Sequence, residues 1–162
     1  MESPFKAFTL QAATTKKDAV SLAPATYNLN RYRYLIVTLT VTEAERESGN
    51  ETYDFYITTE NAAGAKWDLV HFPQVASTGA KTFVARIQRD LLPQQVTTAA
   101  PGVSTTESAT LAVVSGGTDA IKSLGAGVLR HGPWGEKLGY ELAVAGTIAT
   151  GISYSISVEA GA

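Results

Sequence analysis

Apolar and polar positions alternate with a period of two along much of this chain. From Ile152 to Glu159, the residues Ile152, Tyr154, Ile156 and Val158 fall on one side, and Ser153, Ser155, Ser157 and Glu159 on the other. Successive side chains of a strand point to opposite faces, so the segment predicts a strand with one buried and one wet face. Leu35 to Thr42 repeats the pattern, with Leu35, Val37, Leu39 and Val41 opposed by Ile36, Thr38, Thr40 and Thr42. β-Branched Thr suits the outer side of a pleated surface.

Further strands are predicted around Phe8–Ala12, Tyr53–Thr58, Lys66–Phe72, Phe83–Gln88, Thr110–Val114 and Tyr140–Ala145, with another over Ala19–Leu22. In the Lys66–Phe72 segment, strict alternation puts Trp67, Leu69 and His71 on one face and Asp68, Val70 and Phe72 on the other. Turn residues separate the runs at Ser48-Gly49-Asn50, Asn61–Gly64, Ser77-Thr78-Gly79 and Ala149-Thr150-Gly151. The last connection is short, which predicts an antiparallel hairpin between the strands around 142 and 156. No segment carries an amphipathic helical stripe. The fold class expected is all-β: two packed antiparallel sheets in a β-sandwich of jelly-roll or Greek-key type.

The 162 residues predict a single domain over 1–162, with a short N-terminal arm over about 1–7. Two stretches lack alternation and are expected to be long loops, near 91–108 with Pro93 and Pro101, and near 116–139, glycine-rich with Pro133 and Trp134. Long connections inside a compact domain tend to carry function.

Composition narrows the classes. Charged residues make up 17%, against a usual quarter or so, while Ser and Thr number 31, so hydroxyls must cover the surface. The net charge of −2 gives no global attraction for nucleic acid or an anionic membrane. No apolar run approaches the length of a membrane span, and the first residues lack the pattern of a signal peptide. With no cysteine there is no disulfide framework and no thiolate chemistry.

Candidate chemistry is sparse. His71 and His131 are the two histidines, a poor start for a metal site that needs three or four ligands. No Gly-x-Ser-x-Gly elbow occurs, and Gly125-Ala126-Gly127 lacks both the third glycine and the βαβ setting of a dinucleotide loop. The sequence therefore predicts no catalytic residue, no metal, no cofactor and no enzyme. Partner contact is the remaining candidate. Tyr32 and Tyr34 sit in a tyrosine cluster that either caps the core or presents hydroxyl-tipped rings to a sugar or protein. Trp134, flanked by Gly and Pro in Arg130-His131-Gly132-Pro133-Trp134-Gly135, either plugs the sandwich or docks on another chain. Arg130, His131 and Lys137 complete this candidate partner-binding set.

Some features resemble the small β-sandwich structural proteins of tailed bacteriophages. They are the Tyr53-Asp54-Phe55-Tyr56-Ile57 strand, Trp67-Asp68-Leu69-Val70-His71-Phe72-Pro73-Gln74, the Thr78-Gly79-Ala80-Lys81 turn, the closing Val-, Thr-, Ser- and Ile-rich segment from Leu142 to Ala160, and the cysteine-free, weakly charged composition. That resemblance implies a virion structural protein: a capsid decoration or cement protein on the outer head surface, bound to the major capsid protein, as a homo-oligomer and often a trimer. It extends to neck and tail-fibre sandwiches. A carbohydrate-binding module is the alternative from another class.

Overall fold

The computed structural model describes residues 4–89, 94–99, 103–108, 114–115 and 124–162, the three middle segments by backbone alone. The described chain forms twelve strands and no helix. These are β1 (Phe5–Lys16), β2 (Val20–Thr26), β3 (Tyr34–Ala44), β4 (Thr52–Glu60), β5 (Ala65–His71), β6 (Lys81–Gln88), β7 (Gln94–Ala99), β8 (Val103–Ser108), β9 (Val114–Ser115), β10 (Val128–His131), β11 (Lys137–Ala145) and β12 (Ile152–Gly161).

Two antiparallel sheets face each other. One has the order β1-β12-β3-β6; the other runs β2-β11-β4-β5-β10-β7-β8, with β9 added to β5. Neighbours are mostly non-consecutive, so the chain crosses repeatedly between layers and builds a β-sandwich.

The alternation read from the sequence sets the core. Leu35, Val37, Leu39 and Val41 of β3 and Ile152, Tyr154, Ile156 and Val158 of β12 point inward from the smaller sheet. Tyr53, Phe55 and Ile57 of β4 and Leu138, Tyr140 and Leu142 of β11 meet them from the larger one. Removing such a side chain from water stabilises the fold by about 1.5–3 kcal/mol. A single contiguous cluster joins both layers.

Four features depart from the sequence expectations. Residues 5–7 do not form an arm: Phe5, Lys6 and Ala7 pair with Gly161, Ala160 and Glu159, because β12 offers a free edge on which their backbone groups are satisfied. The stretch near 91–108 contains β7 and β8, and the one near 116–139 contains β10 and the start of β11. Cross-strand pairing supplies there what alternation did not announce. The expected strand over Thr110–Val114 falls mostly outside the described residues; only Val114 is seen, in β9.

The fourth departure is the hairpin expected around 142 and 156. β11 and β12 lie in opposite sheets, since the connection between them turns across the sandwich edge. Gly146 and Gly151 enter and leave it at φ values of 96° and 93°, a region that L side chains rarely adopt. A carboxylate from the end of β3 holds the turn. Glu45 accepts the Ala149 amide at 2.8 Å on Oε1, and those of Thr150 and Gly151 at 2.5 and 2.6 Å on Oε2. These bonds, first that from Gly151, hold the Glu45 carboxyl below its ordinary range although burial works against them.

Candidate functional site

A bulge in β5 decides where the chemistry sits. Ile57 pairs with Val70 but Thr58 pairs with Asp68, so Leu69 is an extra residue on β5. The extra residue reverses the alternation. Trp67 and Val70 now share the core face, whereas Asp68 and His71 share the outer face with Tyr56 and Thr58. Strict alternation, which put His71 with Trp67 and Leu69, fails at this point.

The outer face of the larger sheet thereby gathers a layer of polar groups. The His71 ring stacks on Tyr56 with centroids 4.0 Å apart. His71 Nε2 lies 2.8 Å from Asp54 Oδ1, and Nδ1 lies 2.8 Å from the Leu124 carbonyl oxygen. Gln74 Nε2 donates to the other Asp54 oxygen at 2.8 Å. One strand over, Arg130 Nη1 donates to Asp68 Oδ1 at 3.0 Å and to the Asp68 carbonyl at 2.9 Å, both residues being wholly buried. Asp68 Oδ2 in turn accepts the Leu124 amide at 2.7 Å. Burial, followed by the fields of Asp54, Asp68 and Glu141, pushes the Tyr56 phenol up to about 12.

This layer ties residue 124 to the sheet through both its amide and its carbonyl. Asp54, Asp68, His71 and Arg130 each bond to another group of this layer, which makes it a structural clasp. Among the described residues, no group of three or more His, Cys, Asp or Glu side chains is placed to hold a metal ion. His71 and His131 lie on opposite faces, since His71 pairs with Val128 and His131 is three residues further along β10. The His131 ring instead accepts the Gln88 amide on Nδ1 at 3.1 Å, beside the smaller sheet.

The six residues singled out by sequence as partner contacts do not form one exposed surface. Tyr32, Arg130, His131 and Trp134 are buried, the first at 2% exposure and the last at 4%. Trp134 is a plug: its Nε1 donates to the Leu29 carbonyl at 3.3 Å, and the Arg89 guanidinium lies 4.3 Å from the ring centre. Tyr34 is half-buried, with Arg86 over its ring at 4.8 Å. Lys137 is half-buried and bonded to Glu60 at 2.7 Å.

A regularly patterned feature that site-by-site reading of the sequence missed is the outer face of the smaller sheet, whose side chains are half-buried to exposed. Across it, Ser155, Thr40 and Thr82 form one row, and Thr9, Ser157, Thr38 and Val84 the next. Strand spacing puts neighbours in a row about 4.8 Å apart and successive rows about 6.8 Å apart, so the hydroxyls form a near-regular grid. Charge enters with Glu43 beyond one end and with Glu159 and Arg86 toward the other. Where β1 shifts register between Gln11 and Thr14, the face opens into a shallow depression of about 250 Å³ lined by Thr14, Thr15, Thr42, Ser153 and Ser155. The signal was present in the sequence as Thr and Ser at every second position of β3 and β12.

No helix among the described residues is long and apolar enough to cross a membrane. Comparison with protein-family models, with curated proteins and with solved structures finds no match to this chain.

Proposed function

We propose that this protein is a non-enzymatic structural module that adheres to other protein subunits, as a decoration or cement protein does on the outer surface of a virion head. The hydroxyl grid on the smaller sheet is the observation that carries this reading. Hydroxyls hydrogen-bond in either direction and cost far less than ions to desolvate, so a flat face of them can pack on a protein shell without burying unpaired charge. Contact across several shell subunits would oppose their separation under internal pressure. The capsid-protein partner and the virion location rest on the phage-sandwich resemblance of the Tyr53–Ile57 and Trp67–Gln74 segments.

The carbohydrate-module alternative needs Trp134 and Tyr32 at the surface, and both are buried. The proposal is tested by cosedimentation with emptied heads of tailed phages. Retention in the shell fraction, lost in Thr40→Lys at the centre of the grid, supports it. A protein that stays in the supernatant overturns it.

A further inference from the structure

The smaller sheet ends on one side at β6, and among the described residues no strand pairs with that edge. The Gln88 amide donates to His131 and the Gln88 carbonyl accepts from Gly132 at 2.9 Å, so the main-chain groups of Gln88 point away from β3. The Arg89 amide, one residue on, points back and donates to the Arg33 carbonyl at 2.7 Å. Backbone direction in a strand alternates with every residue, so the main-chain groups of Thr82, Val84 and Arg86 also point outward. β6 is the last strand of its sheet, and no described strand pairs with that edge. Thr82 and Arg86 are exposed and Val84 is half-buried.

The other edges whose side chains are described are blunted. β1 breaks register twice, between Thr9 and Gln11 and between Gln11 and Thr14, and carries Lys6 and Lys16. β2 contains Pro24, which cannot donate to a further strand. β6 carries charge too, Lys81 at its start and exposed Arg86, but it has neither a register break nor a proline: its register with β3 runs unbroken from Gln88 to Lys81. Proteins seldom leave a flat edge unprotected unless something covers it.

We infer that the β6 edge pairs antiparallel with β6 of a second copy of this chain, about a two-fold axis at Val84. In that register Val84 faces its own counterpart, and Thr82 of each copy faces Arg86 of the other. Each opposed pair exchanges two main-chain hydrogen bonds, so the three outward N–H and three outward C=O groups of both copies are all satisfied. No like charges face each other across the axis. Gln88, already engaged by β10, sets the limit of the pairing, and the two smaller sheets join into one of eight strands. Isologous pairing of this kind closes at two copies, not the three that the phage resemblance implies.

This inference deepens the adhesion reading, since it names one subunit that the module contacts and enlarges the grid. Sedimentation equilibrium of the full chain over a concentration series tests it. The expected mass is twice the 17.1 kDa of one chain. Thr82→Lys sets Lys against Arg86 twice per dimer and raises the dissociation constant about fivefold, while Thr82→Glu lowers it by a similar factor. Val84→Pro removes a donor that β3 does not use and abolishes the dimer. Circular dichroism checks that each variant is folded. A monomer at every concentration, a three-subunit assembly, or Lys and Glu variants that associate equally would overturn the pairing. A monomer that still sediments with shells overturns this pairing alone, and a dimer that does not sediment with them overturns the shell reading alone.

Discussion

The hydroxyl groups of Tyr140 and Tyr154 meet 2.9 Å apart between the two sheets, Tyr140 on β11 and Tyr154 on β12. Tyr140 donates its proton to Gln11 Oε1 of β1 at 2.8 Å, so Tyr154 must be the donor of the pair. Burial raises both phenols above their ordinary value, Tyr154 the further. The bridge fixes the sheets relative to each other at a point where dispersion alone would leave their relative slide less defined.

Its order of donation predicts unequal costs. Tyr154→Phe leaves the Tyr140–Gln11 bond intact and costs about 1 kcal/mol, whereas Tyr140→Phe strands both the Tyr154 hydroxyl and the Gln11 carbonyl oxygen and costs about 2. The double variant costs less than the sum, because the second change removes a group that the first had stranded. Urea unfolding of the four proteins checks this.

Raised phenols also set the alkaline limit. Tyr53, Tyr56, Tyr140 and Tyr154 are all held above 10 when folded. The folded chain therefore binds more protons than the unfolded chain above pH 10, and stability falls as pH rises from there, through about 12 for Tyr56. Denaturant midpoints between pH 8 and 11.5 should be flat at first and then decline, and less steeply in Tyr56→Phe.

Glu45 works in the opposite sense. Its carboxyl is lowered, so its contribution is complete above about pH 4.5 and is lost as acid carries the pH through the folded value. Glu45→Gln should flatten that acid loss. The amides of Ala149, Thr150 and Gly151 should exchange with solvent faster in Glu45→Ala, because a closed turn becomes an open one. Hydrogen exchange read by NMR checks both.

The buried Arg130–Asp68 pair is predicted to be the costliest polar contact to break. Asp68→Ala leaves a guanidinium in the interior and the Leu124 amide without its acceptor, a loss of about 3–5 kcal/mol. Chemical denaturation measures it, with Ser157→Ala at an exposed position of the grid as a control within about 0.5 kcal/mol of the parent.

The strands and the core face were legible because Leu35–Thr42 and Ile152–Glu159 state them in two-residue rhythm, and no tertiary contact overrides it. The polar layer was not, because one extra residue at Leu69 exchanges the faces of everything beyond it, and nothing local in Trp67–His71 marks the bulge. The missed hairpin has a similar origin. Ala149-Thr150-Gly151 has the composition of a tight turn, but Glu45, a hundred residues earlier, decides which way the chain leaves it. Arg130 and Trp134 looked like surface anchors because loop composition hides the buried acceptors, Asp68 and Leu29, that they reach.

The place of β12 between β1 and β3 has a consequence for how the molecule comes into being. β1 is made before the other eleven described strands, yet its lateral partner is the last of the twelve to be synthesised. Through most of translation the segment from Phe5 to Lys16 has no ladder to join, and closing the loop to Ile152 is entropically slow. The smaller sheet can therefore assemble only once β12 has been made, and a nascent chain halted after Ala145 would display both β1 and the greasy side of β3.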